Sequence, residues 1–224
     1  MYIEDRFIYL EFQKTGSTHI KSILDKVFPG GKDFGKHNPI SEAGKKNNKL
    51  IIGSVRNPFD WYVSYWAYSC LKKGGLYKRT TGNVDNKIKD FFTKKNKEWI
   101  EVYSDTQNIE NFRRWLKLLL ISNRKDAGKG FGDSNINPET GYYTYLYLKI
   151  FSGEPNILRV ENIKEYDKKN NVIDYFIRME TLEEDLYELV VKIDKSKSEH
   201  LLSFMKRKDK SNKSSHMHYK EYYD

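Results

Sequence analysis

The chain has 224 residues, 38% hydrophobic and 15% aromatic, with 40 Lys and Arg against 31 Asp and Glu for a formal charge of +9. This length suits one α/β domain with a sizeable core, and the composition excludes a disordered or low-complexity chain. A single cysteine, Cys70, excludes an internal disulfide framework and a cysteine-rich metal site. No apolar run approaches the roughly eighteen residues of a membrane span and no secretory leader opens the chain, so a soluble, cytoplasmic protein is expected.

The first patterned stretch is Phe7 to Leu24, FIYLEFQKTGSTHIKSIL. Its aromatic and β-branched run to Phe12 predicts a short buried strand, and the polar cluster Gln13 to Thr18 predicts a turn into a helix. That helix should end near Phe28-Pro29-Gly30-Gly31. A strand feeding a helix through Lys14-Thr15-Gly16-Ser17-Thr18 has the outline of a phosphate cradle. Gly16 lets backbone approach an anion, the first free helix amides point at it, and Lys14, Ser17 and Thr18 add a charge and two hydroxyls. It is not a Walker A loop, because the lysine precedes the only glycine.

A Gly-, Asn- and Lys-rich loop follows, carrying His37 and Glu42. Leu50 to Val55 then predicts a second buried strand, parallel to and beside the first. Asn57 is a good N-cap and Pro58 a good first residue for a helix running to about Lys73. Ligands of open parallel sheets sit beyond the carboxyl ends of the strands, where Lys14 and Arg56 both fall. Asp60, Ser64 and Tyr68 share one helix face, so Arg56 and Ser64 can converge on one anion.

These two junctions carry a resemblance. Lys14-Thr15-Gly16-Ser17-Thr18 after the first strand resembles the 5′-phosphosulfate loop of sulfotransferases that use 3′-phosphoadenosine 5′-phosphosulfate (PAPS). Val55-Arg56-Asn57-Pro58, with Asp60, Ser64 and Tyr68 at their spacing, resembles the 3′-phosphate motif of the same enzymes. The resemblance implies an α/β, P-loop-like three-layer fold with a central mainly parallel sheet. It implies one domain over residues 1–224, with a helical and loop insertion at about 78–141 on the acceptor side. It further implies transfer of a sulfuryl group from PAPS to a hydroxyl or amine of a carbohydrate or other polar metabolite, leaving 3′-phosphoadenosine 5′-phosphate (PAP). Lys14 would stabilise the leaving phosphate, residues Thr15, Gly16, Ser17, Thr18 and His19 would hold the 5′-phosphate, and Arg56 with Ser64 the 3′-phosphate.

Farther along, IKDFFTKKNKEWIEVY and TQNIENFRRWLKLLLIS predict two helices between Lys87 and Ser122. Asp126 to Gly141 reads as a long polar loop, and Tyr142 to Phe151 as a buried helix or strand. Asn156 to Val160 and Val172 to Arg178 are strand candidates, and Thr181 with Glu184 predicts a capping box. The segment DYFIRMETLEEDL resembles the strand-to-helix stretch such sulfotransferases carry after their helical middle. The basic, then tyrosine-rich tail resembles their carboxyl-proximal segment, which adds Lys213 and Ser214 as donor contacts.

An acceptor hydroxyl must lose its proton as it attacks sulfur. His37 is the first candidate base, since imidazole needs no large pKa shift; Glu42 is second and Glu11 third. No metal is required, and His216 and His218 lack partners for one. Two other classes fit parts of the pattern. A kinase-like phosphotransferase would need ATP and Mg²⁺, and a non-catalytic basic module would bind nucleic acid on charge alone.

Overall fold

The computed structural model describes residues 1–40, 48–82, 94–136, 140–152, 159–205 and 216–224. The chain divides into two compact units. One comprises Met1–Asn57, Tyr147–Pro155 and Glu161–Lys213, the other Pro58–Leu146, Asn156–Val160 and Ser214–Asp224. The insertion expected over residues 78–141 lies within the second, which begins at Pro58.

The first unit is α/β. Its strands are β1 (Tyr2–Ile3), β2 (Phe7–Leu10), β3 (Lys32–Asp33), β4 (Leu50–Val55) and β5 (Tyr175–Arg178), in the order β3-β1-β2-β4-β5. The two pairings β2–β4 and β4–β5 are parallel, and β1–β2 and β1–β3 are antiparallel. The sheet is therefore mixed, and the expected mainly parallel arrangement describes only the three longest strands. The antiparallel edge comes from a tight hairpin, closed by Glu4 N–H on the Phe7 carbonyl at 3.0 Å and by Arg6 N–H on the Glu4 carboxylate at 2.7 Å. Two-residue strands show no period, which is why the sequence does not announce β1 and β3.

All four residues of β2 are buried. Phe7 and Tyr9 share a core with Ile52 and Ile177 and with helices α1 (Ser17–Val27), α9 (Leu182–Asp194) and α10 (Ser198–Met205). On the alternate positions of the same strands, Phe176 packs on Phe151 at 5.5 Å between ring centroids, and Phe12 meets that ring at the same distance. A side chain at Gly53 would come within 3.1 Å of both Phe151 and Phe176, so glycine lets those rings lie against β4.

In the second unit, α2 (Pro58–Cys70) and α3 (Gly74–Thr81) are followed by α4 (Lys94–Val102) and α5 (Ile109–Lys117). A π-helical turn over Leu118–Ser122 ends α5, and α6 (Lys129–Asp133) interrupts the stretch expected as a plain loop. The apolar run from Tyr142 resolves as helix α7 (Gly141–Phe151), whose Tyr147–Phe151 end belongs to the first unit, as does α8 (Ile163–Asn170). Trp61, Trp66, Trp99 and Trp115 are all fully buried. The indole N–H of Trp66 reaches the Val102 carbonyl at 2.8 Å, that of Trp99 the Asp126 carboxylate at 3.0 Å and that of Trp115 the Tyr103 hydroxyl at 3.1 Å.

Two expectations are corrected here. Val160 is not in a strand: its N–H and C=O bond the side chain of Asn135 at 2.8 and 2.9 Å, leaving none for a ladder, while 156–158 lie outside the described residues. Thr181 makes no cap bond to α9. Its hydroxyl instead donates to Asp185 at 3.2 Å, the carboxylate that also accepts the Arg178 amide and guanidinium. The tail from His216 to Asp224 is a docked element. Tyr222 is fully buried between Trp66 and Phe112, and its hydroxyl donates to the Thr106 carbonyl at 2.6 Å. Among the described residues no helix is long and apolar enough to cross a membrane.

Candidate functional site

At the carboxyl end of β2 the chain turns through Lys14 at φ 60° and Gly16 at φ 68° before α1 begins at Ser17. Left-handed backbone is ordinary for Gly16, whose missing side chain also leaves room for Met179: an added Cβ would lie 2.6 Å from its sulfur. For a lysine that conformation is uncommon and must be held by its surroundings. His37 is likewise left-handed, at φ 61°. Backbone strain and candidate chemistry thus coincide at two positions in one unit.

The turn is held from below. Thr15, Ser54 and Tyr9 are each fully buried. The Thr15 hydroxyl lies 2.9 Å from the Phe12 carbonyl and 2.6 Å from the Ser54 hydroxyl, which lies 2.8 Å from that of Tyr9. Thr15 therefore faces the core, and only its backbone can serve a ligand. The helical ladder opens with the amides of His19 and Ile20, both on the Gly16 carbonyl at 2.9 and 3.0 Å. His19 thus spends its amide inside the turn, while those of Ser17 and Thr18 come before the ladder, where a helix N-terminus meets anions.

Arg56 stands at the tip of β4 and reaches across to the loop, donating from Nη1 to the Lys14 carbonyl at 3.3 Å. The consequence is electrostatic. Burial, then the nearby Arg56 guanidinium, bring the Lys14 ammonium down from its ordinary value to about 8. Beside Arg56, the Asn57 amide donates to the Glu180 carboxylate at 2.6 Å, tying β4's end to the turn after β5.

The loop after β3 lies over the same strand end. His37 sits 3.0 Å through Nδ1 from the Glu11 carbonyl. A carbonyl can only accept, so Nδ1 carries the proton and Nε2 is left as a base. Burial lowers the His37 pKa, against smaller raising effects from Glu11, so the ring is neutral near pH 7. The Glu11 carboxylate is itself fully buried, with Oε1 3.3 Å from the Met1 ammonium and Oε2 without a hydrogen-bond partner. Closed off in this way, it does not present itself to an acceptor, which sets aside the third base candidate. Lys36, to which the sequence assigned no role, donates to the Thr18 hydroxyl at 3.1 Å. Its position next to His37 was the available signal.

No family model, curated protein or solved structure matches the chain. The structure brings Lys14, Thr15, Gly16, Ser17, Thr18, Arg56 and His37 to the ends of two adjacent parallel strands in one unit. Ser64 is buried on α2, in the second unit. Glu42, Lys213 and Ser214 lie outside the described residues. No group of three or more His, Cys, Asp or Glu able to hold a metal occurs among the described residues. Two cations, a helix N-terminus and a neutral imidazole with one fixed tautomer make a site suited to a tetrahedral anion and to removal of one proton.

Proposed function

We propose that this chain is a sulfotransferase that moves a sulfuryl group from PAPS to the hydroxyl or amine of a carbohydrate or other polar acceptor. The observation that carries the reading is the pairing of Lys14 and Arg56. Two like charges half-buried at adjacent strand ends, close enough for one to depress the other's pKa, are stable together when an anion lies between or beside them. The strand-turn-helix of β2 and α1, with β4 and β5 parallel beside it, supports a P-loop-like core for that donor.

The chain's residues then divide the work. The amides of Ser17 and Thr18 take the 5′-phosphate at the head of α1. Lys14 meets the oxygen that bridges phosphorus and sulfur, where negative charge grows as the bond breaks, so its contact strengthens in the transition state. Arg56 grips the 3′-phosphate, remote from the reacting bond, and orients the donor. The bond from sulfur to the bridging oxygen breaks as one to the acceptor oxygen forms, and the acceptor proton passes to His37 Nε2.

The decisive experiment is thermal stabilisation by PAP, by AMP and by ATP with Mg²⁺. A rise of several degrees with PAP alone is expected. Equal shifts with PAP and AMP would remove Arg56 from its role, and a Mg²⁺-dependent shift with ATP would instead favour a phosphotransferase. Incubation of labelled donor with a panel of hydroxylated sugars, tyrosine peptides and simple alcohols then identifies the acceptor class.

A further inference from the structure

The buried hydroxyls beneath the loop form a chain whose direction is determined. The Phe12 carbonyl can only accept, so the single Thr15 hydroxyl proton goes to it at 2.9 Å. Toward Ser54, 2.6 Å away, Thr15 can then only accept, so Ser54 donates. Ser54 has no second proton, so at 2.8 Å it must accept from Tyr9. The order is Tyr9 to Ser54 to Thr15 to the Phe12 carbonyl, running from β2 across β4 and back into the turn that carries Lys14. All three side chains are fully buried, which removes water as a substitute partner.

From this geometry we propose that Ser54 is a positioning residue for the anion loop, holding Thr15, and through it the left-handed backbone of Lys14, in register with Arg56 two residues further along β4. The inference rests on the PAPS reading of the loop for its ligand, but not for its mechanics. Ser54 touches no ligand. It fixes where the Lys14 ammonium and the amides of Ser17 and Thr18 stand, and a charge-assisted contact loses most of its strength when its donor is displaced. Tyr9 has a different part: its hydroxyl satisfies Ser54 but bonds nothing in the loop.

This difference allows a test that separates positioning from general stability. Ser54→Ala leaves the Tyr9 hydroxyl buried without an acceptor, which lowers the melting temperature whatever the loop does. In the double variant Tyr9→Phe with Ser54→Ala that orphan is gone, and much of the melting temperature returns. Affinity for PAP, measured by titration calorimetry on the full chain, should fall about fivefold to tenfold in both Ser54→Ala and the double variant, and stay unchanged in Tyr9→Phe. Hydrogen exchange of the His19 and Ile20 amides, both bonded to the Gly16 carbonyl, should quicken in the same two variants only. Affinity that recovers with melting temperature in the double variant would overturn the proposal, as would equal loss in Tyr9→Phe. If the unmutated chain fails to bind PAP, the donor reading fails by itself. The exchange pattern still decides the role of Ser54, being ligand-free.

Discussion

Replacing Lys14 by Met keeps the side chain's length and apolar stem and removes its charge, while the cost of a left-handed backbone stays with both residues. The unfolded lysine titrates at its ordinary value near 10.5, and the folded one at about 8. At about 1.4 kcal/mol per unit, this difference corresponds to a charge penalty on the order of 3 kcal/mol in the ligand-free fold. Solvent still reaches part of the ammonium, so about half of that, 1–2 kcal/mol, is the expected gain in stability for Lys14→Met at pH 7. The gain has a defined pH course. Between pH 8 and 10.5 the folded protein has released the proton that the unfolded chain still holds, so the wild type becomes relatively more stable as pH rises. Urea unfolding at pH 7 and pH 10 should therefore show Lys14→Met ahead at the lower pH and level at the higher, while its PAP binding is lost at both. A variant less stable than wild type at pH 7, or ahead by the same margin at both pH values, would refute the electrostatic account of the site.

Arg56→Ala should weaken PAP binding by about tenfold to a hundredfold, the worth of a charged hydrogen-bond donor, and leave AMP affinity nearly level, as measured by titration calorimetry. His37→Ala should lower turnover by about two to four orders of magnitude with little change in PAP affinity. Because burial depresses the His37 pKa, the wild-type rate should decline on acidification at a lower pH than an ordinary imidazole would give, as the ring takes a proton. Tyr222→Ala empties a fully buried site between Trp66 and Phe112 and should cost about 3–5 kcal/mol in denaturant unfolding. Tyr222→Phe, which keeps the ring and loses the bond to Thr106, should cost about 1 kcal/mol.

Much of the core was legible locally. The run FIYL followed by Lys-Thr-Gly-Ser-Thr specifies a strand, a turn and a helix, and the structure has β2, a left-handed Gly16 and α1 there. LIIGSV and Asn-Pro specify β4 and the start of α2 at Pro58. What failed did so for identifiable reasons. Thr181 lost its capping role because its hydroxyl is turned to Asp185, buried one turn into α9, and donates there instead of accepting from the first amides of the helix. Val160 lost its strand because Asn135 took both of its backbone groups.

Residue order alone determined the loop's donors and its glycine, because each of these depends on neighbours a few positions apart. Tertiary structure decided the state of those groups. Burial, and then Arg56 from 42 positions away, lowers Lys14's proton affinity, Ser54 supports Thr15 from 39, and the Glu11 carbonyl selects His37's tautomer from 26. Proton affinity and tautomer depend on burial and on partners across the sheet, and those distances exist only once β2 and β4 lie side by side.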